Sequence, residues 1–351
     1  MPIPPVLRSL LTASGPSGYE TAPAAVFRRE AEGFAQTSAD VMGTSLARVP
    51  GTGGGRTVAV VGHVDEIGLI VTHIDDDGFL RFVGVGGWDP QILVGQRVEL
   101  ATREGVVPGA IGKKPIHLLE PDDRKKVAEL KDLHIDVGAK DGAEARALVR
   151  IGDVAVLAAE PVELPNDRAM SRSMDNRVGT FVAFETARLV AEAGGAVGDV
   201  VAVANVQEET TFGGSATTAY SLRPDVAIVV DVTHETGAPG ISPNQIGSHA
   251  FGSGPVLERG SNINPRVFEA LHDTAEAEGI PFTIAASARH TGTDLDAIHA
   301  SRGGVASGGV SIPLRYMHSS VEMVQLDDVA NAARLIAAFA RTLPADATFL
   351  R

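Results

Sequence analysis

The stretch Thr57-Val-Ala-Val-Val-Gly62 is a short apolar run that leads directly into the polar sequence His63-Val-Asp-Glu66. Two further apolar runs, at residues 199–206 and 225–231, have the same character and also lead into polar residues. Continuous apolar runs of this length, bounded by polar or turn residues, are typical of strands buried on both faces of a parallel sheet. We therefore expect these three runs to be buried strands of a largely parallel sheet.

Helical patterns lie between and after these runs. Apolar residues recur at helical spacing over residues 178–190, and amphipathic patterns cover residues 267–278 and 329–343. Strands that alternate with helices indicate an α/β layer architecture. The predicted fold class is α/β, with a mixed, largely parallel sheet sandwiched by helices.

Residues 67–165 have a different pattern. Short strand-like runs alternate with turns such as Asp75-Asp-Asp-Gly78, and one helical piece lies near residues 142–149. This pattern predicts a small, mainly antiparallel β-barrel. We interpret the segment as a β-rich domain inserted into a discontinuous α/β domain made of residues 1–66 and 166–351.

The composition predicts a folded, acidic protein. The 351 residues include 30 lysines and arginines, 44 aspartates and glutamates and no cysteine, which gives a net charge of −14. This charge disfavours nucleic acid and anionic membranes as partners and favours cationic ligands or divalent metals. The lack of cysteine excludes disulfides and zinc–thiolate sites, and it fits a reducing cytosol. Residues 1–11 lack the layout of a signal peptide, so we expect a soluble, cytoplasmic protein.

Polar clusters follow the three apolar runs, at the strand ends where open α/β sheets bind their ligands. These clusters are His63-Val-Asp65, Gln207-Glu-Glu209 and Asp231, and two more are residues 173–177 and 316–322. Histidines and carboxylates gathered at a water-excluding sheet edge would be electrostatically unfavourable without cations. Oxygen and imidazole ligands without thiolate suit zinc, cobalt or manganese at a catalytic site.

The spacing within two of these clusters suggests a division of roles. Residues two apart in an extended chain point to the same side, so Asp65 can accept a hydrogen bond from one imidazole nitrogen of His63 while the other nitrogen binds metal. Glu208 and Glu209 are neighbours, so their side chains must diverge. We expect one of them to ligate a metal and the other to stay free as a general base.

Five ordered motifs resemble those of the tetrahedral aminopeptidases, family 42 of the metallopeptidases. This family includes glutamyl aminopeptidases and relatives labelled endoglucanases. The motifs are Gly62-His-Val-Asp-Glu-Ile-Gly68, Ser173-Met-Asp-Asn-Arg177, Gln207-Glu-Glu209, Val230-Asp231 and Tyr316-Met-His-Ser-Ser-Val-Glu322. The resemblance extends over nearly the whole chain and implies a zinc-exopeptidase-like fold.

The resemblance also implies a co-catalytic pair of divalent ions in each chain, zinc or cobalt, with manganese as an alternative. By this resemblance, His63 and Asp231 would bind one ion and Glu209 and His318 the other. Asp175 would bridge the two ions. No further cofactor is implied.

The activity and the assembly follow from the same resemblance. Glu208 would be the general base that acts with a metal-bridged hydroxide, and Asp65 would orient His63. The implied reaction removes amino-terminal residues from peptides with a free amino terminus. The segment 67–165 would be a dimerisation domain, and family members commonly assemble into hollow homododecamers.

Two other functions fit some of these residues. Paired carboxylates are the working groups of glycoside hydrolases, such as an endoglucanase, although adjacent Glu208 and Glu209 point apart and the chain has only one tryptophan and three tyrosines. A carboxylate-only glycosidase would keep its activity after chelation. A non-catalytic metal-binding assembly would keep the ligands without turnover, but all seven site positions carry the residues that catalysis needs. The preferred amino-terminal side chain and the native metal stay open at this point.

Overall fold

A mixed sheet and a separate barrel contain all seventeen strands of the computed structural model, which describes all 351 residues. Numbered in chain order, the strands β1–β17 are Gln36–Ala39, Ser45–Val49, Val58–His63, Gly68–Ile74, Leu80–Val85, Arg97–Thr102, Gly105–Gly112, His134–Asp136, Val154–Leu157, Val162–Leu164, Arg168–Ser171, Val200–Asn205, Val226–His234, Val256–Gly260, Thr283–Ser287, Ala306–Arg315 and Glu322–Gln325. The helices α1–α11 are Pro5–Thr12, Thr21–Ala31, Pro90–Leu93, Gly142–Leu148, Met174–Glu192, Glu208–Thr211, Gly213–Leu222, Pro243–Ile246, Pro265–Ala277, Leu295–Ile298 and Leu326–Thr342. No helix in the protein combines the length and the apolar character needed to cross a membrane.

The mixed sheet has eleven strands with a parallel centre. Nine of them are neighbours in the order β1-β2-β12-β3-β13-β16-β17-β11-β10, and β14 joins β16 to β15. The pairs β12–β3, β3–β13 and β13–β16 are parallel, whereas the pairs towards both ends of this order are antiparallel. Strands β3, β12 and β13 are the three apolar runs identified in the sequence. The predicted mixed, largely parallel sheet is therefore confirmed.

The central strands are apolar along their whole length because they are covered on both faces. Every residue of β3 and β12 is buried, as are the first seven residues of β13. A parallel sheet of this kind needs helices on its faces, since its crossovers run over them. Helix α5 packs on β3, β12 and β13, and α11 packs on α5.

Helix α5 approaches the end of β3 unusually closely. A Cβ atom at Gly62 would lie only 2.2 Å from the carbonyl carbon of Gly179, so a side chain at this strand position would collide with the helix. The hydroxyl of Thr180 then donates a hydrogen bond of 2.7 Å to the carbonyl oxygen of His63. This contact brings the start of α5, which includes Asp175, to the carboxyl end of β3.

The segment that follows β3 forms a closed six-stranded barrel in the order β4-β5-β8-β7-β6-β9. All of its pairings are antiparallel, and its core is a separate hydrophobic cluster drawn from residues 69–157. The predicted β-barrel is confirmed. Strand β8 was not predicted, because a strand of three residues is too short to show a period. The exact domain boundaries at residues 66/67 and 165/166 stay a prediction.

Candidate metal centre

All seven predicted site residues lie in one cluster at the carboxyl edge of the parallel strands. They come from the last residue of β3 and the loop directly after it, from the start of the short helix α6 that follows β12, from the carboxyl-terminal half of β13, from the first turn of α5 and from the turn between β16 and β17. In that order they are His63, Asp65, Glu208, Glu209, Asp231, Asp175 and His318. The parallel register explains this convergence, because strands that run in the same direction end at the same edge. All of them are buried or half-buried.

His63 faces three carboxylates with its Nε2 atom. This nitrogen lies 3.2 Å from Oδ1 of Asp175, 3.8 Å from Oε2 of Glu208 and 3.9 Å from Oδ1 of Asp231. Potential ligand atoms of His63, Glu208 and Asp231 all lie within 4.8 Å of one another. These distances allow one cation to be held on this side of the cluster.

A second group of ligand atoms surrounds His318. Its Nε2 atom lies 3.5 Å from Oδ2 of Asp175 and 3.5 Å from Oε1 of Glu209. Asp175 therefore presents one oxygen to His63 and the other to His318. This arrangement suits a carboxylate shared by two neighbouring cations.

The carboxylate of Asp65 contacts three groups: the imidazole of His63 and the backbone N–H groups of Glu208 and Glu209. Its Oδ1 lies 3.3 Å from Nδ1 of His63, which leaves Nε2 to face the other carboxylates. Oδ1 also accepts the backbone N–H of Glu208 at 3.1 Å, and Oδ2 accepts the backbone N–H of Glu209 at 3.2 Å. The contact with His63 is the one that the spacing predicted, whereas the two contacts with the glutamate backbones were not predicted.

Glu20 was also missed by the sequence reasoning. Its Oε1 accepts the backbone N–H of Gln207 at 3.1 Å, just before the glutamate pair. Gln207 has a φ of 61°, a left-handed conformation that is uncommon for a residue other than glycine. Burial raises the pKa of Glu20 to about 6. The two partners are distant in sequence, so no local pattern could have indicated this contact.

The pKa values show how strongly the carboxylates crowd each other. Burial, with Asp231 and other nearby carboxylates, raises the pKa of Glu208 to about 10. Burial also raises the pKa of Asp231 and of Glu209. Hydrogen bonds with Asp175 and Glu209 raise the pKa of His318 to about 11. The crowding of negative charge therefore favours the protonated forms of these groups, and a bound cation would relieve it.

The donor set fits divalent metal ions. The charged groups that pair with these carboxylates are the two histidines, and no lysine or arginine does so. The nearby buried guanidiniums of Arg172 and Arg177 are paired with Glu66 instead. Imidazole nitrogens and carboxylate oxygens are the ligands that zinc, cobalt and manganese accept at catalytic sites.

The family model of the M42 glutamyl aminopeptidases matches residues 43–335 of the chain. The chain belongs to this M42 family. Among its relatives, the lysyl aminopeptidase of Pyrococcus furiosus is 35% identical over 314 residues, which cover 88% of each chain. The membership confirms the resemblance found in the sequence.

Solved structures of M42-like peptidases have the same fold. The TET aminopeptidase from the marine sediment archaeon Thaumarchaeota archaeon SCGC AB-539-E09 superposes with a TM-score of 0.91 at 35% identity, over 96% of this chain and 95% of that one. The Pyrococcus horikoshii TET1 peptidase, described as able to assemble into a tetrahedron or a large octahedral shell, has a TM-score of 0.86 at 31% identity, over 96% and 99% of the two chains.

The M42 membership and these relatives support a metal-dependent aminopeptidase. The roles of the individual residues stay a prediction.

Proposed function

We propose that this M42 chain removes amino-terminal residues from peptides with the help of two divalent metal ions and Glu208 as the general base. The observation that carries the proposal is the sharing of Asp175 by His63 and His318, at 3.2 Å and 3.5 Å, in a cluster that has no lysine or arginine partner. When bound, a pair of such ions activates a water molecule and polarises the scissile carbonyl group.

The distances are compatible with the assignment of residues to the two ions that the family resemblance implies. His63 and Asp231 would hold the first ion, and Glu209 and His318 would hold the second, with Asp175 shared between them. Zinc and cobalt suit this nitrogen and oxygen set, and manganese is the alternative. The remaining negative charge of the cluster would attract the free α-amino group of a peptide, which favours cleavage at the amino terminus.

Glu208 is suited to carry a proton in this reaction. Its carboxyl group is buried beside the proposed ions, with Oε2 at 3.8 Å from Nε2 of His63, and bound cations would favour its ionised form, which can accept a proton. Its backbone is held by Asp65 at 3.1 Å, which limits the movement of the carboxylate. We therefore propose that Glu208 accepts the proton of the attacking water and returns it to the leaving amine.

We also propose that the barrel mediates self-association into a homododecamer. Val106, Ile116 and Ile151 on the barrel segment are exposed by 58–66%, and an interface between subunits would cover such apolar side chains. The assembly of the Pyrococcus horikoshii relative supports a closed shell. Light scattering on the intact protein would then give about twelve times the 36.4 kDa chain mass. A monomeric mass would contradict this assembly.

The general-base role is tested by Glu208→Gln. We expect this variant to keep both metal ions and to lose at least about two orders of magnitude in the rate of aminoacyl-anilide hydrolysis, as general-base catalysis commonly contributes. Glu163→Gln, which changes an exposed glutamate paired with Arg8, is the matched control and should keep the wild-type rate. Near-normal turnover by Glu208→Gln would contradict the assignment. Metal-loaded wild-type protein without activity on a broad panel of peptides would favour the non-catalytic assembly.

A further inference from the structure

Glu322 is a buried carboxylate that has no role in the proposed reaction. It is the first residue of β17 and is only 2% exposed. Its Oε2 accepts the backbone N–H of Asp175 at 3.0 Å, and its Oε1 accepts the backbone N–H of His318 at 2.7 Å. One side chain thus joins the backbones of two proposed ligands that are far apart in sequence.

Neither of these two backbone positions is held by regular secondary structure. His318 has a φ of 59°, in the left-handed region that side chains other than glycine rarely adopt. Asp175 has a non-helical ψ of 106° within the first turn of α5, where backbone N–H groups lack partners inside the helix. A carboxylate that accepts a backbone N–H forms a stronger hydrogen bond than a neutral acceptor does. Glu322 therefore supplies a restraint that the local backbone does not provide.

The two contacts of Glu322 involve the ligands of one proposed ion in particular. His318 is proposed to hold the second ion with Glu209, and Asp175 contributes its Oδ2 to this group. His63, by contrast, is supported by Asp65, and no hydrogen bond joins it to Glu322. Glu322 thus supports His318 and the shared Asp175, whereas Asp65 supports His63 and also the backbone of Glu209.

We propose that Glu322 is a positioning residue that sets the separation of Asp175 and His318 and thereby the affinity of the second metal ion. This inference rests on the proposed two-ion function. It assigns Glu322 no contact with substrate. Outer partners that hold metal ligands commonly change metal affinity by about 10- to 100-fold when they are replaced.

The test compares Glu322→Gln with a matched change far from the ligand set in the fold. Asp328 is also fully buried and also accepts two backbone N–H groups, from Gly254 at 2.8 Å and Gly252 at 2.9 Å. None of these three residues belongs to the metal centre. Glu322→Gln and Asp328→Asn each replace one carboxylate oxygen by an amide group, so they should lower thermal stability in a similar way.

The measurement is a titration of the metal-free intact protein with Co²⁺, followed by calorimetry and by the visible absorption of the bound ion. Wild-type protein should bind two equivalents. In Glu322→Gln we expect the dissociation constant of the second equivalent to rise about 10- to 100-fold, with an altered absorption band. Asp328→Asn should titrate as wild type does.

Two results would overturn the positioning role: wild-type affinity for both equivalents in Glu322→Gln, or an equal loss of affinity in Glu322→Gln and Asp328→Asn. If Glu322→Gln does not fold, Glu322→Asp replaces it, because the shorter carboxylate cannot reach both N–H groups and should give the same selective loss. A wild-type chain that binds fewer than two equivalents would contradict the proposed two-ion function itself, which is a different outcome from a failure of the Glu322 role alone.

Discussion

Asp65 and Glu66 are neighbours in sequence and are both almost fully buried, yet their carboxylates belong to different kinds of cluster. Glu66 pairs with the guanidinium groups of Arg172 and Arg177. Asp65 belongs to the candidate metal centre, where histidines are the only basic side chains that pair with the carboxylates. The chain therefore neutralises the buried carboxylate of Glu66 with its own arginines. The carboxylates around Asp65 have no such partners and would need bound metal cations instead.

The Glu66 cluster has the contacts of a structural element. Arg177 is fully buried and donates to the carbonyl oxygen of Ala13 at 3.1 Å, and Glu66 accepts the backbone N–H of Gly15 at 3.1 Å. Burial lowers the pKa of Arg177 to about 10, which still leaves it charged at neutral pH. These contacts join the amino-terminal segment to helix α5. The difference between the two clusters leads to four predictions.

The largest effect should come from removing the external cations. Chelation with EDTA should lower the rate of aminoacyl-anilide hydrolysis at least about a thousandfold, since bound metals contribute several kcal/mol to such reactions. The Glu66 cluster needs no metal, so the chelated protein should stay folded by circular dichroism. Re-addition of Zn²⁺ or Co²⁺ should restore the rate. Activity that survives complete removal of metal would show that the cluster around Asp65 does not depend on bound cations.

Removing the charge of Glu66 from the Glu66 cluster should lower the stability of the protein and leave metal binding unchanged. Glu66→Gln leaves two buried guanidiniums without their carboxylate, which should cost about 3–5 kcal/mol in the free energy of unfolding. Denaturant unfolding of the metal-loaded protein measures this loss. Glu163→Gln removes an exposed ion pair with Arg8 and should cost less than about 1 kcal/mol. Loss of bound metal in folded Glu66→Gln would show that the two clusters are not separate.

Replacing His318, a proposed metal ligand, should affect metal binding with little loss of stability. His318 is half-buried, and its imidazole contacts Asp175 and Glu209. We expect His318→Ala to bind one metal ion per chain instead of two, as measured by elemental analysis after dialysis. His73→Ala, which changes an exposed histidine of β4, should keep both ions. Two tightly bound ions in His318→Ala would count against its role as a ligand.

The smallest effect should be a pH dependence of thermal stability that is stronger in the metal-free protein than in the metal-loaded protein. Hydrogen bonds with Asp175 and Glu209 raise the pKa of His318 from 6.5 to about 11. A raised pKa stabilises the folded state fully below the unfolded value, and this contribution is lost as the pH rises towards the folded value. The Tm of metal-free protein should therefore fall between about pH 7 and about pH 10, and the raised pKa of Glu208 acts in the same direction.

Metal-loaded protein should show less of this alkaline loss, because its histidines bind metal without a proton. Differential scanning calorimetry of both forms across this pH range tests the prediction. A Tm of the metal-free form that rises with pH would contradict the proposed crowding of charge at the metal centre.

Much of the fold followed from local patterns. The apolar run at residues 57–62 became β3 because a strand buried on both faces needs apolar residues at every position. The amphipathic pattern at residues 329–343 became most of α11, because a helix that packs on one side needs apolar residues at helical spacing. Strand β8 was not predicted, because three residues are too few to show an alternating pattern of hydrophobicity.

The candidate site was predictable to the extent that its residues follow strand ends. His63 and Asp231 could be placed together because parallel strands end at the same edge of a sheet. The contacts of Glu20 and Glu322 could not be predicted, since each joins segments that meet only after the chain has folded.

The sequence alone determined which runs become buried strands and which polar groups stand at their ends, because both depend on the order of neighbouring residues. Only the tertiary structure decided that Glu66 meets two arginines while Asp65, one residue earlier, accepts the backbone N–H groups of Glu208 and Glu209. The charge balance around a buried carboxylate depends on groups brought together from distant segments. That balance decides whether a cluster is complete in itself or depends on metal.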